Sequence, residues 1–429
     1  MSKSKKRKSS RVKGFFKLDR KERIKTIKEF AGLNKREVSF LAKGLEGKEF
    51  LEQMSENVIG SFPLPYSVAA NFLINGKDYF IPMVIEEVSV VAAASFGAKL
   101  SRQSGGITTQ TKGKHVIGQI YIIGAKKPSS AKKKILDSKT SLLAKANKQD
   151  PVLNEKGGGA EGLEVKILKG SQKKSFLRIH LLVDTKDAMG ANAINRMTES
   201  VAPMLEGLSG GKAILKIVSN LPDNKIVEAK AVITQEALRK EGLPAKETID
   251  GVVSAQEIAE KDIYRAVTHN KGILNGMGAV ALATGNDWRA LEAAAHGFAA
   301  RSGRYLPFTK WDKDKAGNLR GEIKLPVMIG TVGGATSVHP LVDISFKILK
   351  IDSARELGEI MAGVGLLQNF AALRALVSDG IQRGHRRVMA WNLARQAGAR
   401  GKLLESVVEK IEKEDNISLR KIKEIIKNG

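Results

Sequence analysis

HVIGQIYIIG (115–124) reads as a strand, and SSAKKKILDSKTSLLAKANK (129–148) reads as a Lys-rich helix with Ile135, Leu142 and Leu143 facing inward. LEVKILK (163–169) and FLRIHLLVD (176–184) alternate like the arms of a hairpin around KGSQKK. Residues 187–208 place Ile194, Met197, Val201, Leu205 and Leu208 on one helical face, and AILKIVS (213–219) supplies a last strand. The order β-α-β-β-α-β is the split ferredoxin-like motif. It predicts an inserted unit over residues 113–219.

Outward from that unit the chain is richer in Gly and Ala and reads as helical. Helices are expected over 87–100, 289–301 and 355–377, the last with Leu357, Ile360, Met361, Val364 and Leu367 on a stripe. KLLESVVEKIEK and SLRKIKEIIKNG read as two short amphipathic helices, and SDGIQRGHRRV (378–388) reads as a loop before them. Near the start, Ile24, Ile27 and Phe30 share one helical face, and residues 1–13, with seven basic residues and no acid, read as a disordered tail. The expected fold class is α+β. A large, mainly helical unit (14–112 and 220–377) carries the ferredoxin-like insertion and is followed by a small helical C-terminal unit (378–429).

The chain has 429 residues, 72 Lys plus Arg against 45 Asp plus Glu, and a formal charge of +27. An apolar fraction of 42% excludes wholesale disorder, and the charge raises a polyanion as partner. Cysteine is absent, which removes disulfides, thiolate metal sites and acyl-cysteine chemistry and favours a cytoplasmic protein. No apolar run follows the basic N-terminus, so a signal peptide is not expected. The longest uncharged run, Leu325 to Val342, holds three glycines, His339 and Pro340 and makes a poor membrane span.

Familiar motifs fail on context. Gly157, Gly159 and Gly162 match G-x-G-x-x-G, but a strand follows them where a helix should open. GLSGGKA (207–213) lacks the spacing and final hydroxyl of a P-loop, and no His-Glu-x-x-His or G-x-S-x-G is present. What remains is a set of low-charge, Gly-rich stretches, each with a few isolated ionisable groups. These are ENVIGSFPLPY, EEVSVVAAAS with Glu86 and Glu87, DAMGAN (187–192), YRAVTHNKGILNG with Lys271, ATGNDWRA with Asp287, TVGGATSVHP (331–340) and IQRGH with His385. DAMGAN opens a helix just after a strand, where backbone N–H groups can face an anion. Taken singly, each reads equally as a cap or a solvated residue.

Taken together and in this order, the stretches resemble the 3-hydroxy-3-methylglutaryl-coenzyme A (HMG-CoA) reductases, most closely the class II form. The resemblance runs from GFFKLDRKERI (14–24) to the His385 segment. It implies reduction of the HMG-CoA thioester to mevalonate and CoA by two hydrides from NADH or NADPH. No metal is implied, and the active sites would lie between subunits of a dimer or a larger assembly of dimers. The insertion becomes the dinucleotide domain, the large unit the substrate domain, and the C-terminal unit a flap. Glu87, Lys271, Asp287 and His385 match the catalytic four. Ser89, Arg265 and Asn275 fall on positions that hold the hydroxymethylglutaryl group, and Asn220 on the catalytic network. Asp187, Met189, Gly190, Ala191, Asn192, Gly333 and Gly334 fall on the cofactor site. Asp150 aligns with an aspartate that accepts the ribose 2′-hydroxyl, which favours NADH; Lys145 and Lys148 nearby leave NADPH open.

The opposing reading is a basic nucleic-acid-binding protein. It leaves the low-charge segments unexplained, and at 5% aromatics stacking residues are few. On the enzyme reading neither nucleic acid nor membrane is a partner, and removal of residues 1–13 is expected to leave kinetics nearly unchanged.

Overall fold

The computed structural model describes residues 9–43, 49–171, 174–378, 381–412, 414 and 417–427; the side chains of 49–50, 335, 337, 381–388 and 402 lie outside that description. Ten strands run in chain order as β1 (Tyr66–Ile74), β2 (Lys77–Val84), β3 (Ile107–Lys112), β4 (His115–Ile123), β5 (Gly159–Lys169), β6 (Ser175–Asp184), β7 (Lys212–Val218), β8 (Ile226–Ile233), β9 (Thr309–Lys313) and β10 (Leu319–Pro326).

Four of these strands form one sheet in the order β5-β6-β4-β7, every neighbour antiparallel. Helices Pro128–Asp137, Lys139–Asn147 and Pro151–Glu155 connect β4 to β5, and Ala191–Ser209 connects β6 to β7. One face of this sheet is closed by Ile120, Ile122, Leu177, Ile179, Ile135, Leu142, Ile194 and Met197, all buried. The single helix expected over 129–148 is interrupted at Ser138, a residue that competes with the helix for its own backbone bonds.

The flanking region holds more sheet than its composition suggests. Six strands line up as β2-β1-β3-β8-β10-β9. In β2, Tyr79 to Met83 are all buried, and in β8 Ile226 to Ala229 are. Strands covered on both faces lose the period-two signature, so they read as apolar runs. Against this sheet lies helix Ala354–Val377, with Leu357, Ile360, Met361, Val364, Leu367 and Phe370 buried. Length and composition would let that helix cross a membrane, but 72% of its apolar window is buried inside the fold, which makes it a core helix. Helix Val90–Ser101 approaches it at Gly97, where a Cβ would sit 2.7 Å from the Leu367 carbonyl oxygen. A side chain there would push the two helices apart.

Two expectations are corrected at the ends. The loop expected over 378–388 is helix from Ile381 onward, running Ile381–Gln396. Gly384 and the Arg-rich composition suggest a turn. Ala390 and Ala394, buried against Val407, Val408 and Ile411, pin the helix from its other end. Residues 9–13, expected in the disordered tail, are anchored at Ser9, Ser10 and Val12, with Arg11 and Lys13 exposed. Ser10 is buried, its hydroxyl 2.9 Å from an oxygen of Asp78 that also receives the Arg102 guanidinium at 2.7 Å. Burial opposes ionisation of Asp78, but Arg102 and Ser10 outweigh it and hold the carboxyl below its usual range. Residues 1–8 lie outside the described residues.

Candidate active site

Lys271 and Asn275 lie one turn apart on helix Ile263–Ala283, so i,i+4 spacing puts both on one face. That face meets Glu87, in the short link between β2 and helix Val90–Ser101. Lys271 Nζ donates to Glu87 Oε2 at 2.9 Å, and Asn275 Nδ2 donates to the same oxygen at 3.1 Å. Glu87 Oε1 is left without a protein donor among the described residues. The pair is open, with side chains 62% and 38% exposed, so it contributes little to stability and both groups are accessible to a ligand. Ser89, the residue before the helix, is held at φ 74°, a left-handed conformation uncommon for a non-glycine. The tight turn it makes sets the direction in which Glu87 leaves the strand.

A second group of segments is stitched together opposite. Ala188 forms a parallel bridge with Val332, and Thr331 N donates to the Asp187 carbonyl at 2.8 Å. Gly330 N donates to Asn286 Oδ1 at 2.8 Å, which ties the segment before Gly333 and Gly334 to the one bearing Asp287. Asp287 caps helix Trp288–Ala300, accepting from Arg289 N and Ala290 N, and its carboxylate pairs with the Arg289 guanidinium at 3.3 Å. Among the described residues the ion-pair partner of Lys271 is Glu87, while Asp287 pairs with Arg289.

A cavity of ≈ 3000 Å³ reaches from Glu87 and Ser89 to the second group; Lys271 and Asn275 touch it only through Glu87 and do not line it themselves. The cavity is roughly three times as large as the upper end of an ordinary single-ligand pocket. Its wall includes Glu87, Ser89 and Asp287, then Asp150, Met189, Gly190, Ala191 and Asn192, then Gly333 and Gly334. Asp187 is off the wall, its Oδ1 accepting from Ala354 N at 2.9 Å. Arg265 and Asn220 are also off it; Asn220 is exposed in the turn after β7. His385 falls within helix Ile381–Gln396, and its side chain lies outside the described residues. Asn392 of the same helix does reach the wall.

The residues on this wall fit a dinucleotide. Helix Ala191–Ser209 begins at Gly190, held at φ 93°, and has no acidic residue in its first turn. A Cβ on Gly190 would lie 2.2 Å from Thr185 Cγ2, so the loop closes only with glycine. Beside it Thr185 Oγ1 is buried without a hydrogen-bond partner. Gly333 and Gly334 leave open space in front of them.

Two features were missed by sequence reasoning. Arg196 pairs with Asp150 on the same wall; its signal was the i,i+4 spacing from Asn192. Arg11, Lys13 and Phe16 line the far end, which no spacing could reveal. Residues 11–13 thus reach the site, where the basic run alone suggested a tail apart from it. Deletion of residues 1–8 should leave KM for a CoA substrate unchanged. Deletion through residue 13 should raise it several-fold, because the Ser10 anchor and two cavity cations go together. Steady-state kinetics of the two truncations check this.

Behind Lys271, on the opposite side of its helix, His269 Nε2 lies 2.6 Å from Thr309 Oγ1, which in turn meets Gln256 and Asn369. Burial, helped by the Arg265 charge, pushes the His269 imidazole down to about 3. It is therefore an anchor and stays neutral in the fold. An unfolded histidine titrates near about 6.5, so this contribution to stability is complete above that pH and is lost as pH falls toward 3. In His269→Gln, the slope of unfolding free energy between pH 6.5 and 5 should shrink by about one proton, measurable by denaturant titration.

Known proteins match most of this chain. The family described as hydroxymethylglutaryl-coenzyme A reductase matches residues 19–390. The chain is 47% identical over 419 residues to the 3-hydroxy-3-methylglutaryl-coenzyme A reductase of Archaeoglobus fulgidus, covering 97% of this chain and 94% of that one. It is 37% identical over 376 residues to a probable reductase of the same name from Borreliella burgdorferi, covering 86% and 83%. A class II reductase structure from Streptococcus pneumoniae, described as bound to NADPH in open conformations, superposes with a TM-score of 0.81 at 40% identity and covers 96% of this chain and 99% of that one. Fold and family match thus define an oxidoreductase. The chain belongs to the hydroxymethylglutaryl-coenzyme A reductase family, and its α+β fold is that of the class II structures.

Proposed function

We propose that the protein interconverts HMG-CoA with mevalonate and CoA, as a step of the mevalonate route to isoprenoids. The observation that carries this reading is the open Lys271–Glu87–Asn275 cluster, whose Glu87 faces a cavity with a glycine-loop cradle on its other wall. A bound reduced nicotinamide would supply one hydride, and exchange of the oxidised dinucleotide for a second reduced one would supply the next. Negative charge then grows on the thioester carbonyl oxygen, and Lys271, with one of three donors committed to Glu87, stabilises it. Glu87 relays a proton to that oxygen. Asp287 adds its carboxylate to the same cavity and tunes the charge there. His385 protonates the departing CoA thiolate, which needs a group that titrates near neutrality. Asn275 fixes Glu87. Ser89, Arg265 and Asn220 are assigned to the acyl group and its network on the family resemblance alone. The chemistry needs no metal.

Asp150, Met189, Gly190, Ala191, Asn192, Gly333 and Gly334 hold the cofactor, and Asp187 fixes their loop by bonding Ala354 N. NADH is the preferred reductant on the Asp150 carboxylate. The substrate unit spans 14–112 and 220–377, the dinucleotide unit 113–219 and the flap 378–429. A second copy of the chain covers Ile263, Tyr264 and Val267, which are 57%, 83% and 47% exposed at the start of the Lys271 helix. Such apolar exposure beside a functional residue suits a subunit interface. The absence of cysteine supports a cytoplasmic location. The test is absorbance at 340 nm with HMG-CoA and each reduced cofactor. Substrate-dependent loss of absorbance is expected; none with either cofactor contradicts the reading.

A further inference from the structure

The Asp150 carboxylate is engaged on both oxygens. Oδ1 accepts from Leu153 N at 3.0 Å, and Oδ2 meets the Arg196 guanidinium at 3.1 Å. The two side chains are 19% and 59% exposed, and both line the cavity beside Ala191 and Asn192. Arg196 follows Asn192 by one helical turn, so it projects from the cofactor-facing side of helix Ala191–Ser209. A lone carboxylate in this place accepts a ribose hydroxyl and repels a phosphate. Paired with a guanidinium, its net charge is zero. The guanidinium has five N–H donors, of which one is committed here, and its fork suits a phosphate.

We infer that Arg196 is a specificity-determining residue for the 2′ position of the adenine ribose: Asp150 accepts the free hydroxyl of NADH, and Arg196 meets the 2′-phosphate of NADPH, so the pair admits both cofactors. The inference rests on the reading of this cavity as the dinucleotide site.

Equilibrium titration of the full-length enzyme with NADH and with NADPH, followed by fluorescence, tests it without turnover. In Arg196→Ala the ratio of Kd for NADPH to Kd for NADH should rise about tenfold or more, the loss expected for a charge-assisted contact. Arg196→Lys should restore part of it. Asp150→Asn, which keeps the cap on Leu153 N, should lower the ratio below that of the unaltered enzyme. An unchanged ratio in Arg196→Ala, or equal weakening of both cofactors, overturns the assignment. Failure of the unaltered enzyme to bind either dinucleotide would overturn the site itself, a different result from the first.

Discussion

Lys271→Ala should lower kcat for HMG-CoA reduction by roughly 10³-fold, the cost of removing a donor aimed at a developing oxyanion. The side chain is 62% exposed and its ion pair with Glu87 is solvated, so the fold should not notice the change. Glu87 keeps its contact with Asn275 in the variant and stays in place. The loss should therefore appear in kcat, with unfolding midpoint and CoA affinity nearly constant. It should also extend to free mevaldehyde, because both reductive steps place charge on a carbonyl oxygen beside the same lysine. Steady-state kinetics on the two substrates check this, together with thermal unfolding of the purified variant. Appreciable turnover in a folded variant sinks the assignment of Lys271.

His385→Gln should behave differently on the same two substrates. Only the thioester step releases a thiolate, whose conjugate acid titrates near about 8.5, and an imidazolium titrating near about 6.5 can protonate it. Loss of that general acid should cost roughly 10²-fold or more on HMG-CoA. Reduction of free mevaldehyde needs no thiolate protonation and should change far less. Equal losses on both substrates would assign His385 a structural part in helix Ile381–Gln396 instead.

The inserted sheet was legible because each of its strands keeps one face open and so alternates, and because Ile194, Met197, Val201 and Leu205 mark one side of its second helix. The larger sheet was not, since β2 and β8 are covered on both sides and carry no period. Helix Ile263–Ala283, which puts Lys271 and Asn275 on one face, was not among the helices expected, because Gly272, Gly276 and Gly278 lower its helix propensity. That Glu87, 184 positions earlier, meets both is a product of tertiary packing, set by Gly97 against Leu367 and by the turn at Ser89. Asp150 was marked by the family resemblance, but Arg196, 46 positions later on another helix, looked like a solvated charge until the pair was seen. Ser10 shows the same limit: a serine in a basic run reads as tail until Asp78 and Arg102 are found beneath it. Much of the +27 charge remains surface. Eight lysines lie between Lys126 and Lys148, and Arg11 and Lys13 are the described basic residues of the first thirteen that line the cavity.

The proposed reaction carries a thioester through two reductions at one site before mevalonate is released. Its most direct measure is the ratio of dinucleotide oxidised, read at 340 nm, to CoA thiol released, read with a thiol reagent, in one reaction started with HMG-CoA. Two dinucleotides per thiol, with mevalonate as product, is the predicted result. One dinucleotide per thiol, or thiol release with none oxidised, would contradict it.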